Sequence, residues 1–164
     1  DILDILKKAT TREIANDAMD LSHLIRDNTG VDSTETAMKC FSRTELLIFQ
    51  NKYLQAIDSL TKIITKYNKD GLVDDALLKR ANCYLKLSKN DLAIADLASI
   101  IEQFPTDVLG DDASFLLAVK KKKKTLEKDK AMKIFEDILK NYPGSIYVVE
   151  SRNRYRALRG DTIN

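Results

Sequence analysis

The residues able to do chemistry are few and scattered. The one histidine, His23, sits in AMDLSHLIRD beside Leu24 and Ile25, a helical setting in which an imidazole packs rather than coordinates. Cys40 and Cys83 each fall inside an apolar-periodic segment and are expected as free thiols behaving as small hydrophobes. One His and two distant Cys supply no zinc-finger spacing, no HExxH pair and no C-x-x-C, so no metal is expected. Asp74–Asp75 and Asp111–Asp112 could offer paired carboxylates for general acid–base work. The pair recurs at an interval of 37 residues, however, which fits helix starts better than a catalytic dyad. Neither a G-x-S-x-G elbow nor a Gly-rich phosphate loop is present. No catalytic residue or cofactor is assigned, and the expectation is a protein that is not an enzyme.

The remaining chemically loud stretch is VKKKKKTL, with lysines at 120–124. A nucleic-acid site would pair such cations with exposed stacking aromatics or a groove-reading module. Neither accompanies this run, so it reads as the solvated end of a helix, where cations favour the negative pole and lysine stems lie over apolar neighbours. Contact with an acidic protein is the next reading and nucleic acid the last.

A chain of 164 residues with 44% hydrophobic content can bury one sizeable core. Gly and Pro together number seven, too few for the turns of a β-sandwich or barrel, which leaves an all-α protein. No apolar window is long enough to span a membrane, and the start DILDILKKAT carries acids where a secretion signal would be basic. The chain opens at Asp1 rather than Met, so it is expected to be a processed protein or a piece of a longer one. Residues 1–119 sum to −5 and residues 120–164 to +7, a polarity able to orient an acidic partner.

Helical periodicity positions these residues. Ala93, Ile94, Leu97, Ile100, Ile101 and Phe104 recur at spacings of three and four, the signature of one apolar helix face. Ala56, Ile57, Leu60, Ile63, Ile64 and Tyr67 repeat that template, as do Ala131, Ile134, Phe135, Ile138, Leu139 and Tyr142. The intervals are 37 and 38 residues, an internal repeat. Between these helices lie LVDDALLKRANCYLKL and LGDDASFLLAVKKKKK, so each unit is a helix pair. Pro105 and Pro143 stop helices, and the acid pairs favour helix N-termini. Helices are expected near residues 1–8, 12–27, 34–51, 53–67, 72–87, 90–104, 110–124, 128–142 and 146–159. The last is polar on one side through Arg152, Arg154, Arg156 and Arg159, as a terminal helix must be, and ends at Gly160 with a left-handed cap.

These units resemble the tetratricopeptide repeat family, whose second helix carries a small residue, a large apolar one four later, and a proline beyond the helix. Ala131, Phe135 and Pro143 match in full; Ala93, Leu97 and Pro105 match with Leu for Phe; Ala56 and Leu60 match, with Asn68 in place of proline. Ala81 and Ala118 hold the first helix's small position and Tyr84 its aromatic one, where Lys121 departs from the pattern. The long repeat, and endings such as QFPTDVLGDDA and NYPGSIYVVES, are similar to those of bacterial cell-envelope members.

The resemblance implies a right-handed superhelix of stacked antiparallel hairpins spanning residues 34–159 with a C-terminal capping helix. Residues 1–33 would be N-terminal helices, a degenerate or capping repeat, and 160–164 a tail. It also implies a non-catalytic scaffold that binds a protein or peptide on its concave face, in the periplasm or envelope if the subgroup holds and in the cytoplasm otherwise. Residues expected to face that groove are Met38, Phe41, Glu45 and Ile48, then Asp75, Leu78, Asn82 and Leu85, then Asp112, Phe115, Val119 and Lys122. The strongest partner-binding candidates among them are Phe41, Glu45, Leu78, Asn82, Leu85, Phe115 and Lys122. The competing reading makes the Lys/Arg-rich C-terminal region a module for an acidic partner or, less so, nucleic acid.

Overall fold

The computed structural model describes residues 35–68, 71–104, 109–121 and 128–161. They form seven helices: α1 Glu35–Phe49, α2 Tyr53–Lys66, α3 Val73–Lys86, α4 Asn90–Gln103, α5 Gly110–Lys121, α6 Lys128–Asn141 and α7 Val148–Arg159. No strand occurs among the described residues. The helices expected near 1–8 and 12–27, and with them His23, lie outside the described residues.

Each helix packs mainly on its neighbours in sequence. One core cluster joins Ala37 and Phe41 of α1, Ala56, Ile57, Leu60 and Ile63 of α2, and Ala76 and Cys83 of α3. A second joins Val73, Leu77 and Ala81 of α3, Ala93, Leu97 and Ile100 of α4, and Ala113 and Leu117 of α5. The third joins Ala118 of α5, Ala131, Phe135 and Ile138 of α6, and Leu158 of α7. Every second helix is thus wrapped by its own first helix and by the next one. Fully buried alanines recur on both helices of each pair, because a short side chain lets two helix backbones approach closely.

Helix directions follow from end-to-end contacts. Gly110, at the start of α5, lies against Tyr142 just past the end of α6; a Cβ there would meet Tyr142 Oη at 2.5 Å. Asp112, also near the start of α5, accepts a 2.6 Å hydrogen bond from Tyr147 Oη at the start of α7. α5 therefore runs antiparallel to α6 and parallel to α7. In the layer before, Lys79 of α3 reaches Glu45 of α1.

The turns repeat as faithfully as the helices. Asn51 and Ser88, 37 residues apart, both have φ of 58°. Asn51 N–H donates to the Ile48 carbonyl and Lys52 N–H to Leu47; Ser88 N–H donates to Leu85 and Lys89 N–H to Tyr84. This pair of bonds, from the left-handed residue and the one after it, is a Schellman closure satisfying the last carbonyls of α1 and α3. α7 ends on Gly160 with φ of 98°. α6 stops at Asn141, two residues before Pro143, whereas Pro105 lies outside the described residues. Asp74–Asp75 and Asp111–Asp112 occupy the first turns of α3 and α5. Both cysteines are free, Cys83 buried and Cys40 half-buried. Burial raises the Cys83 thiol above its ordinary pKa.

Serine is a poor occupant of the left-handed region, whereas Asn tolerates it. Ser88→Gly should therefore stabilise the fold by about 0.5–1 kcal/mol, net of glycine's extra unfolded-state entropy. In thermal denaturation by circular dichroism that is a rise of a few degrees, and Asn51→Gly should give a smaller one.

Candidate functional site

The surface to be tested is the one built by the parallel first helices α1, α3 and α5, continued by α7. Phe41 departs from the expectation: it is fully buried in the first cluster, because α1 turns this ring onto α2 and α3 rather than outward. Glu45 is half-buried, with Lys79 Nζ 3.1 Å from its Oε1. The ammonium donates to Oε2 at 3.4 Å and acts on the buried Oε1 as a nearby charge, off the hydrogen-bonding direction. On α3, Leu78 and Leu85 are half-buried against the second cluster and Asn82, between them, is exposed. Met38 and Ile48 pack on the first cluster, Val119 on the third, and Asp75 is half-buried.

Phe115 is a packing residue as much as a surface one. Its ring stacks on Tyr147 at 4.3 Å, meets Phe135 edge-on at 6.2 Å, and has the Arg154 guanidinium 5.2 Å from its centroid. Lys122 lies outside the described residues, together with Lys123 and Lys124. Lys120 and Lys121 form part of the last turn of α5, as expected of a helix end.

Two clusters went unnoticed in the sequence. Arg80 of α3 makes a bidentate pair with Asp96 of α4, at 2.8 Å from Nε and 2.7 Å from Nη2, and donates from Nη1 to Thr61 Oγ1 of α2 at 2.9 Å. The side chains are 15% and 8% exposed, so this is a largely desolvated pair joining three helices. The hydrogen bonds that Arg80 donates to Asp96 raise its pKa against the effect of burial. The clue was positional, since 37 residues on from Arg80 stands the buried Leu117, and a charge in a core register needs a partner. The second cluster is Asp112 with Tyr147. Burial raises the Asp112 pKa, opposed by the tyrosine's hydrogen bond and assisted by Asp111. Burial, and then Asp112, push Tyr147 up to about 12. A phenol and a carboxyl so placed latch α7 onto α5.

Among the described residues no group of three or more His, Cys, Asp or Glu is placed to hold a metal ion, and no helix is long and apolar enough to cross a membrane.

The tetratricopeptide repeat model matches residues 75–107 and 112–145, the α3–α4 and α5–α6 units. The chain carries tetratricopeptide repeats. The crystal structure of a tetratricopeptide repeat protein from Parabacteroides merdae is similar in fold, with a TM-score of 0.62 at 16% identity over 90% of this chain and 54% of that one. The chain thus spans about half the length of that relative. No curated protein matches the sequence. Repeats of this kind serve in general as non-catalytic scaffolds for protein–protein interaction.

Two outcomes test the clusters. Asp96→Ala leaves Arg80 desolvated without its counter-charge and should cost about 2–4 kcal/mol in urea denaturation, whereas adding Arg80→Leu, the residue of the next layer, should recover much of that loss. The folded state keeps the Tyr147 proton after the unfolded chain has lost its own. Stability from this group is therefore complete below pH 10 and disappears as pH rises towards about 12. Tyr147→Phe should flatten that alkaline slope.

Proposed function

We propose that the chain is a non-catalytic scaffold that holds an extended protein or peptide segment across its first helices, within a longer or envelope-associated assembly. The observation that carries this reading is the strip on α3, with exposed Asn82 between half-buried Leu78 and Leu85 and the Glu45–Lys79 pair beside it. An amide there can bond a partner's backbone while the two leucines offer shallow apolar contact, and anchors of this kind supply most of an interface's affinity. α3 is also the helix tied to both flanking second helices through Arg80, so the strip stands on a rigid base and loses little entropy on binding. In this reading residues 34–159 form the array, α7 caps it, 160–164 is a tail and 1–33 an N-terminal capping element. The envelope setting is supported by the 37–38-residue repeat length.

A second reading, an anion- or acidic-partner-binding C-terminal module, is favoured by Arg152 and Arg156. They are exposed one turn apart on α7, while Arg154 is engaged by Glu150 and Arg159 by Asp161.

Peptides selected from a random display library on the folded chain separate the two. For the scaffold, Asn82→Arg should weaken a selected peptide at least about tenfold in calorimetry with an unchanged melting temperature, and Arg152→Ser with Arg156→Ser should leave it bound. Peptides indifferent to Asn82, and lost with the arginines or at moderate salt, would transfer the function to α7.

A further inference from the structure

Successive helices alternate in direction, so the C-terminal ends of α1, α3, α5 and α7 meet the N-terminal ends of α2, α4 and α6 along one edge, where every hairpin turns. Cations gather there: Lys52 ahead of α2, Lys86 ending α3, Lys89 ahead of α4, and Lys128 and Lys130 opening α6 are all exposed. Asp91 and Asp129, in the first turns of α4 and α6, offset them only in part. The opposite edge carries Asp74, Asp75, Asp111 and Asp112, buried or half-buried at the starts of α3 and α5, with exposed Lys66 and Lys140 ending α2 and α6 to offset them in part. The stack is therefore polar across its width, basic at the turns and acidic at the links between repeats.

Exposed apolar side chains share the basic edge. Phe49 is 84% exposed, Leu54 61%, Leu46 56% and Leu92 48%, all in the last turn of a first helix or the first turn of a second. The other large exposed hydrophobics of the described residues, Ile146 and Val149, sit at the acidic edge. Large apolar groups held among lysines face two demands at once: removal from water, and a field of negative charge. An anionic membrane surface meets both, since the rings and leucines enter the boundary between headgroups and acyl chains while lysine heads reach the phosphates above it. A nucleic acid would use the cations but leave the leucines in water.

We propose that the hairpin-turn edge is a peripheral docking site for an anionic lipid surface, with Phe49, Leu54 and Leu92 as the inserted residues. The acidic edge then points away from the membrane, which fixes the orientation of the stack. The face of the first helices runs between the two edges and stays open, so this site is independent of the peptide-binding reading and fails or stands separately from it.

The chain has no tryptophan, so Phe49→Trp creates a single reporter. With phosphatidylcholine vesicles containing about a quarter phosphatidylglycerol, its emission should shift to the blue, and with phosphatidylcholine alone it should not. In co-sedimentation, Phe49→Ser with Leu54→Ser should weaken binding to the anionic vesicles about tenfold or more at unchanged melting temperature. Lys86→Glu with Lys89→Glu should weaken it comparably, and Ile146→Ser with Val149→Ser should leave it intact. Absence of binding to anionic vesicles, a reporter that stays in water, or binding that survives the serine pair and is matched by heparin would each overturn the proposal, the last by reducing it to generic polyanion attraction.

Discussion

No hairpin in this chain can close its own core. α2 presents Ala56, Ile57, Leu60 and Ile63 to α1, yet the cluster is complete only when Ala76 and Cys83 of α3 cover the other side. α4 stands in the same relation to α5 through Ala113 and Leu117. Burial of apolar area is the main favourable term in folding, and here it is shared between consecutive layers instead of belonging to any one of them. The parallel first helices, the alternating edges and the open outer surface of the array all follow from that dependence on the next hairpin.

The layers solve the same interface problem by different chemistry. Where α5 places Leu117 in the core, α3 places Arg80, and a bidentate carboxylate with a threonine hydroxyl does the work that dispersion does one repeat later. A buried ion pair contributes less net stability than a well-packed leucine, but it admits few competing arrangements. At the α5–α7 contact a third solution appears, an aromatic stack with a phenol–carboxyl bond beside it. Stiffness in such an array is local, and the surface with the best-fixed base is α3, which carries Leu78, Asn82 and Leu85.

Repetition made the fold legible. Apolar residues at matching places about 37 apart located α2, α4 and α6 to within a few residues, while the acid pairs marked the starts of α3 and α5 and Gly160 the end of α7, because each signal rests on local backbone physics. The surface was less legible. Phe41 was assigned to the groove by its register, but a helix in a two-sided layer has more buried positions than one apolar stripe, and its ring is large enough to be drawn into the nearer core. Phe115 was assigned to the groove on the same grounds; that Tyr147 and Arg154 would close over it depends on the link between α6 and α7, whose path no periodicity encodes. The Arg80–Asp96 pair joins residues 16 apart on different helices, so register marks Arg80 as needing a partner without saying which carboxylate supplies it.

Charge shows the same limit more sharply. Along the chain the asymmetry lies between an acidic first part and a basic last part, which draws attention to the lysine run and the arginines of α7. In three dimensions the relevant axis runs across the stack instead. Antiparallel packing brings first-helix C-termini and second-helix N-termini together at the hairpin edge, so helix-end preferences cancel there, and the lysines at the starts of α2, α4 and α6 stand against theirs. Lys52 and Lys86 belong to the acidic portion of the sequence, yet they stand on the same edge as Lys128. Lysines scattered along the chain are therefore collected, by topology, onto one edge. A repeat protein acquires a sidedness in this way that no single repeat possesses and that net charge conceals, and apolar residues such as Phe49 and Leu54 at the basic turns give that side a chemistry of its own.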